Sequence, residues 1–218
     1  MDIVWLGHAA VRIRSGNTSL IMDPYPPQEG MRIPTALASA SVVTVSGGDP
    51  MHSAAHLLDA DPAPLVIDGP GEYQASRLNI RGVRTKRGAE DAPEPLWNTV
   101  YSVEVEGMMV CHLGTPSTVL TDDQTEELSS PQVLIVPAGA RDGLPLPDLV
   151  EMVNTISPRV VVPVMHGRSG EEHRLNEIGP FLQAMGASAP EPQSRLTLTR
   201  STMPQELQVV LLQPVGVE

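Results

Sequence analysis

The chain has 218 residues, of which 41% are hydrophobic, 18% charged and only 3% aromatic. This suffices for one sizeable globular domain with a core of Val, Leu, Ile, Met and Ala. A net charge of −12 argues against a nucleic-acid backbone or an anionic membrane as partner, and the single Cys111 excludes an intramolecular disulfide and suits a reducing compartment.

Met1-Asp2 leads into a short strand rather than a signal-peptide pattern, and no apolar run approaches membrane-spanning length. A soluble, cytoplasmic single domain over residues 1–218 is expected. Ile3–Trp5, Val11–Arg14 and Ser19–Met22 read as short strands, with Ser15-Gly16-Asn17 as the turn between the last two. Ser41–Val45 and Pro64–Ile67 are continuous apolar runs, expected to be strands buried on both faces. Ser53–Leu58 suits one or two helical turns. Leu78–Val83 and Val100–Val105 alternate, and Glu106-Gly107 turns the chain into Met108–His112, a hairpin that puts Tyr101, Val103 and Val105 on one face.

The second half alternates strand and helix. Thr121-Asp122-Asp123-Gln124 is a capping-box start. Val133–Val136 reads as a buried strand. Pro147 opens a helix whose apolar face carries Leu149, Met152, Val153 and Ile156, and Pro158 stops it. Arg159–Val164 is a strand ending at Met165-His166-Gly167. A last amphipathic helix carries Leu175, Phe181, Leu182 and Met185, with Gly186 at its C-terminus. Leu196–Thr199 and Leu207–Leu212 read as closing strands. Together these elements fit an α/β architecture of two sheets with helices on the outer faces.

Six segments, in order, resemble the small single-domain branch of the metallo-β-lactamase superfamily. Trp5-Leu6-Gly7-His8-Ala9 resembles its opening W-L-G-H-S/A, and Met22-Asp23-Pro24 its I/T-D-P turn. Asp68-Gly69-Pro70-Gly71-Glu72-Tyr73 looks like its G-P-G-E-Y turn, and Cys111-His112-Leu113-Gly114-Thr115 is similar to C-H-L-G-D. Val162-Pro163-Val164-Met165-His166 is similar to V-I-P-M-H, and Pro190-Glu191-Pro192 precedes the closing strands as it does in that branch. The resemblance implies a four-layer αββα sandwich. It also implies hydrolase ancestry, in which two metals held by His and carboxylate ligands activate a hydroxide.

The ligand positions have changed. The family's H-x-H-x-D-H signature falls on Gly47, Asp49, Met51 and His52, so only the last His is kept. A further ligand His falls on Arg87, the bridging Asp on Thr115, and the final His remains as His166. Gly and Met offer no hard ligand for zinc or manganese, so no two-metal centre is expected, and at most one zinc or other divalent ion. If one binds, His52, Asp49 and His166 are its candidate ligands. His8, Asp23, Gly47, Met51, Arg87, His112 and Thr115 are expected to line the pocket. Arg87 is expected either to pair with Asp49 or Asp23 in place of the lost cation, or to sit in a solvated loop.

The remaining residues read plainly. His56 lies four residues after His52 but matches no signature position, and His173 lies in a solvated helix start. Cys111 adjoins the pocket frame as a buried strand cysteine. Gly69-Pro70-Gly71 lacks the G-K-S/T of a phosphate loop, and Ser46 lacks a G-x-S-x-G context. The expected function is that of a non-catalytic or much-altered member that binds a small molecule or a protein through the old cleft. The alternatives are a mononuclear metal-dependent hydrolase and a structural subunit. The sequence leaves a homo-oligomer open.

Overall fold

Strict alternation of inward and outward side chains sorts the strands of this chain into two facing sheets. The computed structural model describes residues 1–58, 61–88, 96–167, 175–188 and 190–217. The first sheet comprises β1 (Asp2–Gly7), β2 (Ala10–Ser15), β3 (Thr18–Met22), β4 (Val42–Thr44), β5 (Leu65–Ile67) and β12 (Leu196–Thr197), in the order β12-β1-β2-β3-β4-β5. The second comprises β6 (Gly71–Ala75), β7 (Leu78–Arg87), β8 (Leu96–Val105), β9 (Met108–His112), β10 (Val133–Pro137), β11 (Val160–Val164) and β13 (Gln208–Val209). Its order is β13-β11-β10-β9-β8-β7-β6. The two closing strands thus divide between the sheets and close one edge of each.

Between the sheets, Ile3, Trp5, Leu20, Met22 and Val42 of the first meet Tyr101, Val103, Val110, Ile135 and Val162 of the second. Odd and even positions of each strand face opposite ways. Cys111, Leu134, Val136 and Val161 therefore point outward, under α2 (Leu146–Ile156) and α3 (Gly179–Ala184). α2 begins with Pro147 in its first turn and ends at Ser157 in the left-handed conformation, as its flanking prolines predict. α1 (Asp122–Glu127) carries the capping box between Thr121 and Gln124. The outer face of the first sheet is covered by less regular structure. Leu6, Ile21, Val43 and Val45 pack under Tyr25, Ala40 and the 3-10 turn Ala54–Leu57.

Several expectations need correction. The Pro64–Ile67 run is not buried on both faces: β5 is an edge strand, with Leu65 51% and Val66 45% exposed. The Gly-Pro-Gly-Glu-Tyr turn continues into β6, the opposite sheet's edge strand, where Tyr73 and Ala75 pack in part against the core and Glu72 and Gln74 face solvent. The last helix is shorter than its apolar pattern, because Leu175 instead bridges to Ala140 and helix begins at Gly179. Arg87 belongs to β7 rather than to a loop. Cys111 faces the helices and not the pocket, and its burial pushes the thiol pKa up, away from reactivity. No helix among the described residues is long and apolar enough to cross a membrane.

β3 and β4 run parallel in the first sheet, and β9, β10 and β11 run parallel in the second. Loops leaving the carboxyl ends of such strands build sites in open α/β sheets.

Candidate functional site

Asp23 follows β3 and takes φ +49, which turns its carboxylate in beneath the loop after β4. Ser46 donates to it twice, from its backbone N–H to Oδ1 at 2.7 Å and from its hydroxyl to Oδ2 at 2.5 Å. His52 Nδ1 donates to Oδ2 at 2.9 Å. That bond fixes the ring tautomer and turns Nε2 toward the Thr115 hydroxyl, 3.5 Å away. His112 is a satisfied neutral ring. Its Nε2 donates to the Ala9 carbonyl at 2.9 Å and its Nδ1 accepts from the Gly114 N–H at 2.9 Å. Asp23, Ser46, His52, His112 and Thr115 are all buried.

The electrostatics follow from this packing. Burial alone would raise the Asp23 pKa, but the field and hydrogen bond of His52, with help from His112 and Ser46, outweigh it and hold the carboxyl below its ordinary range. Burial pushes His112 down, against the pull of Asp23. Burial, then the neighbouring His52, lowers His8 to about 4. The His8 ring meets His52 edge-on, with centroids 5.3 Å apart. Its Nδ1 is buried with no hydrogen-bond partner among the described residues.

Above this floor, the loop after β4 meets the end of β7. Arg87 donates from Nη2 to Asp49 Oδ2 at 2.6 Å, with the arginine side chain 14% exposed and the aspartate 35%. Asp49 Oδ1 accepts from the Met51 N–H at 2.8 Å. Burial works against the Asp49 charge, yet the Met51 amide and Arg87 prevail and its pKa is lowered. Gly47 makes room for the arginine: a Cβ there would lie 3.2 Å from Arg87 Nη1 and 3.3 Å from the Trp97 carbonyl.

The sequence-predicted positions therefore gather in part. His8, Asp23, Gly47, Asp49, His52, Arg87, His112 and Thr115 form one connected group. Met51 turns its side chain away, toward Gln28 and the outer cluster. His166 follows Met165 and tilts its ring against Trp5, with centroids 4.6 Å apart. Met165 itself approaches the Thr115 hydroxyl at 3.7 Å. His56 is exposed, and His173 lies outside the described residues. Two open depressions, of about 470 and 360 Å³, lie elsewhere: one beside Glu72, Arg81 and Gln124, the other beside Ala55, Pro64 and Val66.

Sequence reading missed two supports. Asn98 donates to Thr85 and to the Leu113 carbonyl, and accepts from the Thr115 N–H at 2.7 Å, which clamps the loop after β9. A Cβ on Gly114, at φ +63, would lie 2.2 Å from the Asn98 Oδ1, so this turn requires glycine. Ser46 is the other support. Ser46 directly precedes the Gly47 position, whereas Asn98 lies in β8, far from any motif in sequence, and meets Thr115 only through the fold.

These donors do not suit a two-metal centre. Gly47 and Thr115 supply no imidazole or carboxylate, Met51 points away, and Asp49 is committed to a guanidinium. Among the described residues, no group of three or more His, Cys, Asp or Glu side chains is gathered to hold a metal ion.

The beta-lactamase superfamily domain model matches residues 2–166. A Methanopyrus kandleri protein named a UPF0173 metal-dependent hydrolase is 24% identical over 194 residues, covering 77% of this chain and 84% of that one. A UPF0173 protein of Pyrococcus furiosus is 26% identical over 185 residues, covering 78% and 86%. The crystal structure of a Thermotoga maritima protein, assigned as a Zn-dependent hydrolase of the metallo-β-lactamase superfamily, superposes with a TM-score of 0.76 at 29% identity, covering 97% of both chains. Igni18, a metallo hydrolase of Ignicoccus hospitalis, shares the fold at a TM-score of 0.67 and 15% identity, covering 98% and 95%. The two facing sheets, the strand-end cluster and these matches agree: the chain belongs to the beta-lactamase superfamily and has the metallo-β-lactamase fold.

Proposed function

We propose that this chain is a metal-independent, non-catalytic member of its superfamily that binds a ligand or partner at the strand-end cleft. The Arg87–Asp49 pair takes the place of a metal. The observation that carries this reading is the guanidinium seated against Gly47 and bonded to Asp49 at 2.6 Å. A guanidinium keeps its charge at every relevant pH. A divalent ion about 4 Å from it would be repelled by about 8 kcal/mol at an effective dielectric constant of about 20. A metal and this arginine therefore compete for one place.

The rival reading is a mononuclear hydrolase using His52, Asp49 and His166, which meets the usual count of three protein ligands plus water. His52 Nε2, turned away from Asp23, is the feature that favours it. It requires Asp49 to leave Arg87. A structural subunit is the third reading.

Elemental analysis of untagged protein purified without chelator separates the first two. The expected result is well under one zinc or other divalent metal per chain. One tightly held metal that disappears in both His52→Ala and His166→Ala would establish the rival, and two metals per chain would defeat both.

A further inference from the structure

The rim of the cleft collects polar groups that have few or no protein partners among the described residues. A guanidinium has five N–H donors, yet Asp49 is the one hydrogen-bond partner of Arg87 among the described residues. The backbone N–H groups of Gly47 and Gly48 have no acceptor among the described residues. His8 Nδ1 adds a fourth polar group, buried and without a partner there, within electrostatic range of both Arg87 and Asp49. The rim is open at one point: Gly48 is exposed, and a Cβ on it would meet nothing within 4 Å.

The Arg87 side chain is only 14% exposed, and donors withheld from water are costly unless something accepts from them; the Gly48 end of the rim is open to solvent. Successive backbone amides beside a guanidinium form a general anion-binding arrangement, which favours oxygens that can take two hydrogen bonds. We propose that Gly47, Gly48 and Arg87, with His8 behind them, bind the oxyanion group of a small molecule, a carboxylate or a phosphoryl group. This rests on the metal-independent reading above. Asp49 is then the resident competitor, since its carboxylate holds one nitrogen of the arginine and is still 35% exposed. The chain's overall negative charge opposes any anion at long range. Salt screens that field beyond about 8 Å, so the short-range donors decide binding.

The test is calorimetric titration of the chelator-treated full chain with inorganic phosphate and, separately, with acetate. Saturable binding of phosphate alone assigns a phosphoryl ligand, acetate alone assigns a carboxylate, and both support the shared chemistry. Arg87→Gln should weaken binding about tenfold or more, as expected for loss of a charged hydrogen bond. Because that variant can also lose stability, Asp49→Asn provides the opposite readout. Freeing the guanidinium should tighten binding severalfold, a gain that misfolding cannot produce. No saturable binding of either anion, or unchanged affinity in both variants, overturns the proposal. Metal content measured on the same preparation before chelation keeps the two readings apart. A metal held by His52 and His166 defeats the metal-independent reading, whereas a metal-free protein blind to both anions defeats only this inference.

Discussion

The floor and the rim of this cleft differ in how completely their polar groups are bonded. On the floor, Asp23 accepts from Ser46 twice and from His52, and His112 uses both ring nitrogens. At the rim, among the described residues, the Arg87 guanidinium has one hydrogen-bond partner and His8 Nδ1 has none, and Gly48 opens to solvent. A satisfied buried network specifies structure. An unsatisfied, partly exposed one is available for binding. The floor thus ties the strand-end loops together, and the proposed ligand site lies at the rim, where bonding capacity is left over.

The largest effect should come from breaking the floor. Asp23→Ala removes a buried carboxylate and leaves the Ser46 N–H, the Ser46 hydroxyl and His52 Nδ1 without an acceptor. We expect a loss of about 3–5 kcal/mol in denaturant unfolding, the range for breaking a buried pair. A loss below about 1 kcal/mol, within reach of a single ordinary hydrogen bond, would erase the distinction between floor and rim.

Acid should act first through a buried histidine of each region and then through the floor carboxylate. His8 and His112 hold a proton more weakly folded than unfolded. Below the unfolded value of about 6.5 the unfolded chain therefore binds more protons, and stability falls as pH drops from there. For His8, with a folded value of about 4, the loss down to that pH is on the order of 3 kcal/mol. Asp23 behaves as a depressed carboxyl. Its contribution is intact above the unfolded value of about 3.9 and disappears as pH falls through the lower folded one. Urea midpoints measured from pH 7.5 downward should show this decline, and His8→Gln should flatten it between 6.5 and 4. An unchanged slope in that variant would remove His8 from the argument.

The smallest effect belongs to the rim pair. With Arg87 14% and Asp49 35% exposed, the pair lies between a surface salt bridge and a buried one. Arg87→Ala should cost about 1–2 kcal/mol, between the limits for exposed and buried pairs. A cost above about 3 kcal/mol would move the pair to the floor category.

Much of this arrangement is legible in the sequence. Short β-prone segments and apolar runs mark most strands, alternation marks Leu78–Val83 and Val100–Val105, and Pro147 and Thr121 mark two helix starts. The replacement of ligand positions by Gly47, Asp49 and Arg87 leaves open a pair of Arg87 with Asp49 or Asp23 or a solvated loop, and the structure has the pair with Asp49. What the sequence hid was position within a sheet. The Leu65–Ile67 run has the composition of a central strand but sits at an edge, where Leu65 and Val66 stay about half exposed while Ile67 is buried. Gly71–Ala75 buries only Tyr73 and Ala75, and those in part, too short a trace to separate a strand from the turn motif it overlaps. Parity along β9, rather than nearness to a motif, decides that Cys111 faces the helices and His112 the site. Asn98 was invisible because its task is to hold another strand's loop.

The close seat of Arg87 against Gly47 also constrains how this chain can change. A histidine at position 47 would contend with the guanidinium for space, since even its Cβ would stand 3.2 Å from Nη1. Losing Arg87 first would leave the Asp49 carboxylate without its counter-charge. Each single step toward a metal-ligating site is therefore penalised while the other residue remains, so the two substitutions are tolerated together more readily than in either order alone. The constraint is modest at each position, since the guanidinium tip need give only a few tenths of an ångström to admit a side chain at position 47, but it ties the fate of one residue to the other.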